Sequence, residues 1–193
     1  MPQDIEIDID MEDNKTEINN VEQQMRDDLH SYLLSIGEVD ERLPEAPDIE
    51  ELWRKVGESY LPDGIREFNA YPTASIGWVM FVGMALAKYW DTDWELYSKV
   101  EDLYKYLRDQ RGYDCLDEYI CDTVLLLNGE DQEKLTKIVG ECAARTYNRL
   151  CRLHIEPGSQ DAYRAYIAAI HQMYLMGMCV ELKRLGYRMV KMG

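Results

Sequence analysis

The sequence predicts an all-α protein: a single-domain bundle of six or seven helices preceded by an acidic N-terminal tail. Three observations carry this. Apolar residues recur every three or four positions through most of the chain, the period of a helix face and not of a strand. Two stretches, about residues 73–90 and 160–190, are apolar all round, and a helix with no water-facing side belongs in the middle of a bundle. The chain has 193 residues and is 46% hydrophobic, enough for one domain with a sizeable core. On this reading residues 1–15 form the tail and residues 16–193 the bundle.

The tail alternates acid and apolar side chains from Asp4 to Met11. In a strand that pattern would place Ile5, Ile7, Ile9 and Met11 on one face. The rest of the chain offers no strand to pair with, so a solvated tail is expected. Addition of a strand to a partner's sheet edge and packing on its own domain are the alternatives.

Residues 16–36 read as an amphipathic helix with Ile18, Val21, Met25, Leu29, Leu33 and Ile36 inward, closed by Gly37. Pro44 and Pro47 mark a loop. Residues 48–60 form a short helix, with Asp48 as cap and Glu51 completing a capping box. Leu61-Pro62-Asp63-Gly64 is expected to break it, leaving one or two turns before Pro72.

Twelve consecutive residues from Ile76 to Ala87 then carry no charged or polar side chain. The run is long for a buried strand, and it is shorter than the ~20 residues a membrane span needs. Gly77, Gly83, Ala85 and Ala87 would let a second helix approach closely. Asp91-Thr92-Asp93 ends this helix and opens the next, residues 93–111, whose inward stripe includes Trp94, Tyr97, Leu103, Tyr104 and Leu107. Residues 113–127 follow, then an Asn128-Gly129 turn and a long helix over 131–155. Pro157-Gly158 stops that helix and Ser159 caps the last one, which is predicted to pack against residues 73–90.

Charge is unevenly spread. The whole chain carries −16, from 21 basic and 37 acidic side chains. Residues 1–144 hold 13 of the basic and 34 of the acidic groups, a net −21, and residues 145–193 hold 8 and 3, a net +5. The total opposes nonspecific binding to nucleic acid or to an anionic membrane by the whole surface. The five cysteines are odd in number and lie within helical patterns, which suggests reduced thiols and a cytoplasmic location. Their spacing matches no zinc site. The acidic beginning of the sequence lacks the pattern of a secretory signal.

Three sets of residues are candidate sites. Asp91 and Asp93, with Thr92 between them, offer oxygens to a divalent cation, although N-capping explains the same residues. His171 shares a helical face with Ile167, Leu175, Met178 and Leu182 and should be at least partly buried; a buried imidazole there is either a general base with Tyr or Glu partners or a hydrogen-bonded core group. Arg145, Arg149 and Arg152 line up at spacings of four and three, a stripe suited to an anion or an acidic partner, or to pairing with the acidic first part of the same chain.

No catalytic signature stands out and no cofactor is implied. The leading expectation is a small non-catalytic interaction or regulatory module. Its partner is another protein, or a second copy if an outer helix leaves an apolar face uncovered; membrane and nucleic-acid partners are not expected. One alternative is a ligand-binding or enzymatic helical domain with a Tyr/His-lined pocket. The other is an anion- or nucleic-acid-related role, through the basic C-terminal region or an acidic surface mimicking DNA.

Overall fold

The computed structural model of the chain describes residues 3–188, with side chains from residue 17 onward. Eight α-helices occur among the described residues: α1 (Gln3–Ser35), α2 (Pro47–Glu51), α3 (Trp53–Ala70), α4 (Pro72–Tyr97), α5 (Leu103–Arg111), α6 (Leu116–Tyr119), α7 (Gly129–Arg152) and α8 (Gln160–Arg184). No strand occurs among them. The class is the expected one; the count exceeds six or seven because the segment read as one helix over 48–60 is divided between α2 and α3.

The central pair is α4 and α8, whose mutual contact is the most extensive in the fold. From Ile76 to Ala87 every residue is buried except Trp78, which is half-buried. Trp78 donates its indole N–H to the Tyr113 carbonyl at 2.9 Å, so even this residue is anchored. The two helices run in the same direction: Ser75 meets Tyr166 at one end and Asp91 meets Tyr187 at the other. Between these contacts a Cβ on Gly83 would overlap the Tyr174 carbonyl, and one on Gly177 would overlap the Met80 carbonyl. The glycines therefore set how closely the helices approach.

Around this pair, α1 lies along α8 and also touches α7, while α3 and α7 flank α4. α1 also runs parallel to α8, since Glu22 bonds His171 and the Gly37 carbonyl accepts from Lys183. Its backbone is helical from Gln3, so the helix begins well before residue 16. The side chains of the alternating Asp4–Met11 stretch lie outside the described residues.

Several boundaries differ from the sequence reading. Pro62 sits inside α3, which continues to Ala70. A proline removes one helical hydrogen bond, but Asp63 and Gly64 are held there by tertiary bonds from other helices. The expected capping box of Asp48 and Glu51 is absent; Glu50 instead accepts from the Ala46 N–H at 3.1 Å. The helix expected over 93–111 is broken. Asp93 has φ −162° and ψ 76°, one turn follows to Tyr97, and α5 starts only after Asp102, which caps the Lys105 N–H. The segment expected as a helix over 113–127 is a 3₁₀ turn (Tyr113–Cys115), the short α6, and a π-helical turn (Ile120–Val124). It ends with Leu126 in the left-handed region at φ 56°. The last helix stops at Arg184, short of the expected end near residue 190.

Among the described residues no helix is long and apolar enough to cross a membrane. All five cysteines are free; Cys121, Cys142 and Cys179 are buried, and burial pushes each of these thiols up to about 12.

Candidate functional site

His171 lies on α8 against α1 and α3. Its Nδ1 is 2.9 Å from Glu22 Oε1, and its ring stacks on Trp53 at 5.0 Å between centroids. Gln172 Nε2 donates to the same carboxylate oxygen at 2.9 Å. Burial pushes the Glu22 carboxyl up, but the bonds from His171 and Gln172 and the charges of His171 and Arg26 outweigh it, so its pKa lies below the usual value. The pair joins α1 to α8, and His171 lies outside the hollows described below.

The arginine stripe is divided. Arg145 contacts Glu141 at 3.0 Å and Asp28 at 3.6 Å, and its guanidinium lies over the Tyr32 ring. Arg149 reaches Asp28 at 3.6 Å. These two tie α7 to α1. Arg152 is exposed at the end of α7 and makes no ion pair among the described residues.

Asp91 accepts from the Tyr187 hydroxyl at 2.8 Å, and Asp93 Oδ1 accepts from the Leu96 N–H at 3.2 Å. Asp93 is thus a helix cap. No group of three or more His, Cys, Asp and Glu side chains able to hold a metal occurs among the described residues.

A buried polar network forms where the sequence suggested a helix break. Asp63 accepts from Tyr104 at 2.6 Å and from Arg66 and Arg108 at 3.1 Å each. Beside it, Tyr60 donates to the Ser75 carbonyl, and the Ser75 hydroxyl bonds the Gly64 carbonyl at 2.7 Å and the Tyr166 hydroxyl at 2.6 Å. Burial holds the Tyr60, Tyr104 and Tyr166 phenols above their usual range. The phenols stay protonated donors and the groups satisfy one another. The network locks α3 to α4, α5 and α8.

Glu181 is different. It is 4% exposed, and its Oε2 has no hydrogen-bond partner. Arg184 Nε stands 3.5 Å away, an ion-pair distance without a hydrogen bond. Burial pushes the carboxyl up to about 7 against the opposing charges of Arg184 and Lys88.

The surface best suited to binding lies at the pole where α3 and α7 end and α8 begins. Two adjoining hollows, about 330 Å³ and 310 Å³, share Phe68, Pro157, Ala162 and Tyr166. Phe68 packs edge-on against Tyr147 and Tyr166, at 6.1 Å and 5.1 Å between centroids, and forms the floor. Leu150, Leu153 and Ile155 form one wall, and Ile65 and Tyr163 stand at the other side. Ile65 and Tyr163 are 41% and 46% exposed. No residue lining either hollow is charged, although 30% of the chain is. Two larger hollows, about 410 Å³ and 490 Å³, are instead edged by charges of both signs, Arg26, Arg42 and Glu45 in one and Arg152, Glu17 and Asp161 in the other.

Sequence periodicity marks Leu150 and Leu153 as inward and is silent on Phe68 and Tyr163. The missing information is which helix ends meet and that nothing covers them. No protein-family model, no curated protein and no solved structure matches this chain.

Proposed function

We propose that the protein is a non-catalytic interaction module whose binding surface is the uncharged trough between the ends of α3 and α7 and the start of α8. The observation that carries this reading is the absence of charge from the trough walls in a highly charged, acidic chain. Soluble proteins seldom leave a continuous apolar patch uncovered unless something binds it. An exposed aromatic side chain such as Tyr163 suits such a surface because it buries large area at low entropic cost. Removing apolar area from water yields about 25 cal/mol per Å², so a partner's apolar segment gains most here.

The test uses anilinonaphthalene sulfonate, a dye that brightens in apolar sites, with the full chain at low concentration. Dye fluorescence is expected with the wild type and is expected to be lost in the Ile65→Glu, Tyr163→Glu double variant. Both side chains are substantially exposed, so the variant keeps its fold. Unchanged fluorescence in that variant would remove the trough from this reading.

A further inference from the structure

We infer that the occupant of the trough is the acidic N-terminal arm of a second copy of this chain, so that the protein self-associates by exchange of arms. The inference rests on the trough being a docking surface, as proposed above.

Three features point to this occupant. The first is place. Because α1 runs parallel to α8, its beginning leaves the bundle at the pole where α8 begins, which is also the pole of the trough. Ile18 and Val21 of α1 already stand beside the Leu153–Ile155 side of that pole.

The second is direction. α1 is one continuous helix from Gln3 to Ser35. At ~1.5 Å per residue, the part before Glu17 reaches about 20 Å along the helix axis. A continuous helix carries that arm past its own chain's trough, because Glu17, Ile18 and Val21 already stand beside Leu153 and Ile155, which also line the trough. The trough of a second copy is reached without breaking the helix.

The third is chemistry. The arm interleaves Ile5, Ile7, Ile9 and Met11 with Asp4, Glu6, Asp8 and Asp10. The trough offers an apolar floor, and Arg152, next in the chain to Leu153 of its wall, stands exposed without an ion-pair partner among the described residues. Residues 145–193 are the cationic part of the chain, at net +5 against −16 for the whole. Placing the acidic arm there replaces like-charge repulsion between copies with attraction, while Ile5 and Ile9, one turn apart on the same side of the helix, leave water.

Sedimentation equilibrium on the full chain over a wide concentration range tests this. The wild type is expected to shift from monomer to dimer as concentration rises, with the shift weakened by salt. Two variants are each expected to lose the dimer: Ile5→Ser with Ile7→Ser and Ile9→Ser, and Tyr163→Glu alone. Mixed together, they are expected to recover a dimer, because one supplies an intact trough and the other an intact arm. A dimer indifferent to both variants overturns the inference, and so does a monomer at every concentration. In either case, dye binding that depends on Ile65 and Tyr163 would leave the trough as a surface for a different protein, whereas loss of that dependence would end the trough reading itself.

Discussion

Gly83 of α4 and Gly177 of α8 occupy one crossing, each with the backbone of the opposite helix where a side chain would stand: Tyr174 against Gly83 and Met80 against Gly177. Neither obstacle is the movable end of a side chain. The central contact of the fold therefore depends on two absent methyl groups.

Gly83→Ala should lower stability by about 2–3 kcal/mol or more, because the helices must separate and lose packing along their length. Gly140 in α7 is the control. A Cβ there meets nothing within 4 Å, so Gly140→Ala should raise stability by about 0.5–1 kcal/mol through helix propensity alone. Urea denaturation of both variants measures the contrast. Equal effects would mean that the crossing is looser than described.

Asp63 anchors α3 to α5 through Tyr104 and Arg108. Asp63→Ala leaves the Tyr104 hydroxyl buried without its acceptor and Arg108 without its main partner. The expected cost is about 3 kcal/mol. Tyr104→Phe removes only one donor and should cost about 1–2 kcal/mol, since both arginines still reach the carboxylate. A fall in stability below about 0.5 kcal/mol for Asp63→Ala would contradict the network.

Glu181 gives stability a pH dependence of definite sign. Its folded-state pKa is raised to about 7 from 4.5, so the folded chain holds a proton that the unfolded chain has released. The contribution is fully present below pH 4.5 and is lost as pH rises through about 7. At ~1.4 kcal/mol per pKa unit, the loss amounts to about 3 kcal/mol. Glu181→Gln cannot titrate and should flatten stability across this window, making the variant the more stable protein above neutrality. A variant whose stability falls with pH as steeply as the wild type assigns the slope to other groups.

Glu22 acts in the opposite sense. Its folded-state pKa is lowered, so its contribution exists above the unfolded value and is lost as pH falls through the folded one. Glu22→Ala also strips the buried Gln172 amide of its acceptor, and should cost about 1–3 kcal/mol. Hydrogen exchange should rise along α1 from residue 17 onward, since this carboxylate is a principal tie to α8. His171→Gln keeps a donor for Glu22 and forfeits mainly the stacking on Trp53, about 1 kcal/mol. Protection of α1 that is unchanged in Glu22→Ala would place the tie elsewhere.

By itself the sequence determined the all-α class, the two apolar helices at the centre and the pairing of α4 with α8. Those follow from local periodicity and from the need to bury a helix that has no polar face, and both are properties of consecutive residues. It also located Asp93 at a helix boundary and His171 at a position at least partly buried, because capping and wheel position are local too. The tertiary structure alone decided that Pro62 stays within α3. A proline reads as a breaker until Tyr104, Arg108 and Ser75, distant in the chain, supply bonds to Asp63 and Gly64. It alone split the arginine stripe, since Asp28 on α1 reaches Arg145 and Arg149 and leaves Arg152 to solvent. And it alone produced the trough. Phe68, Leu150 and Tyr166 belong to three separate helices, and their meeting at one hollow arises from where those helices end, which no single segment encodes.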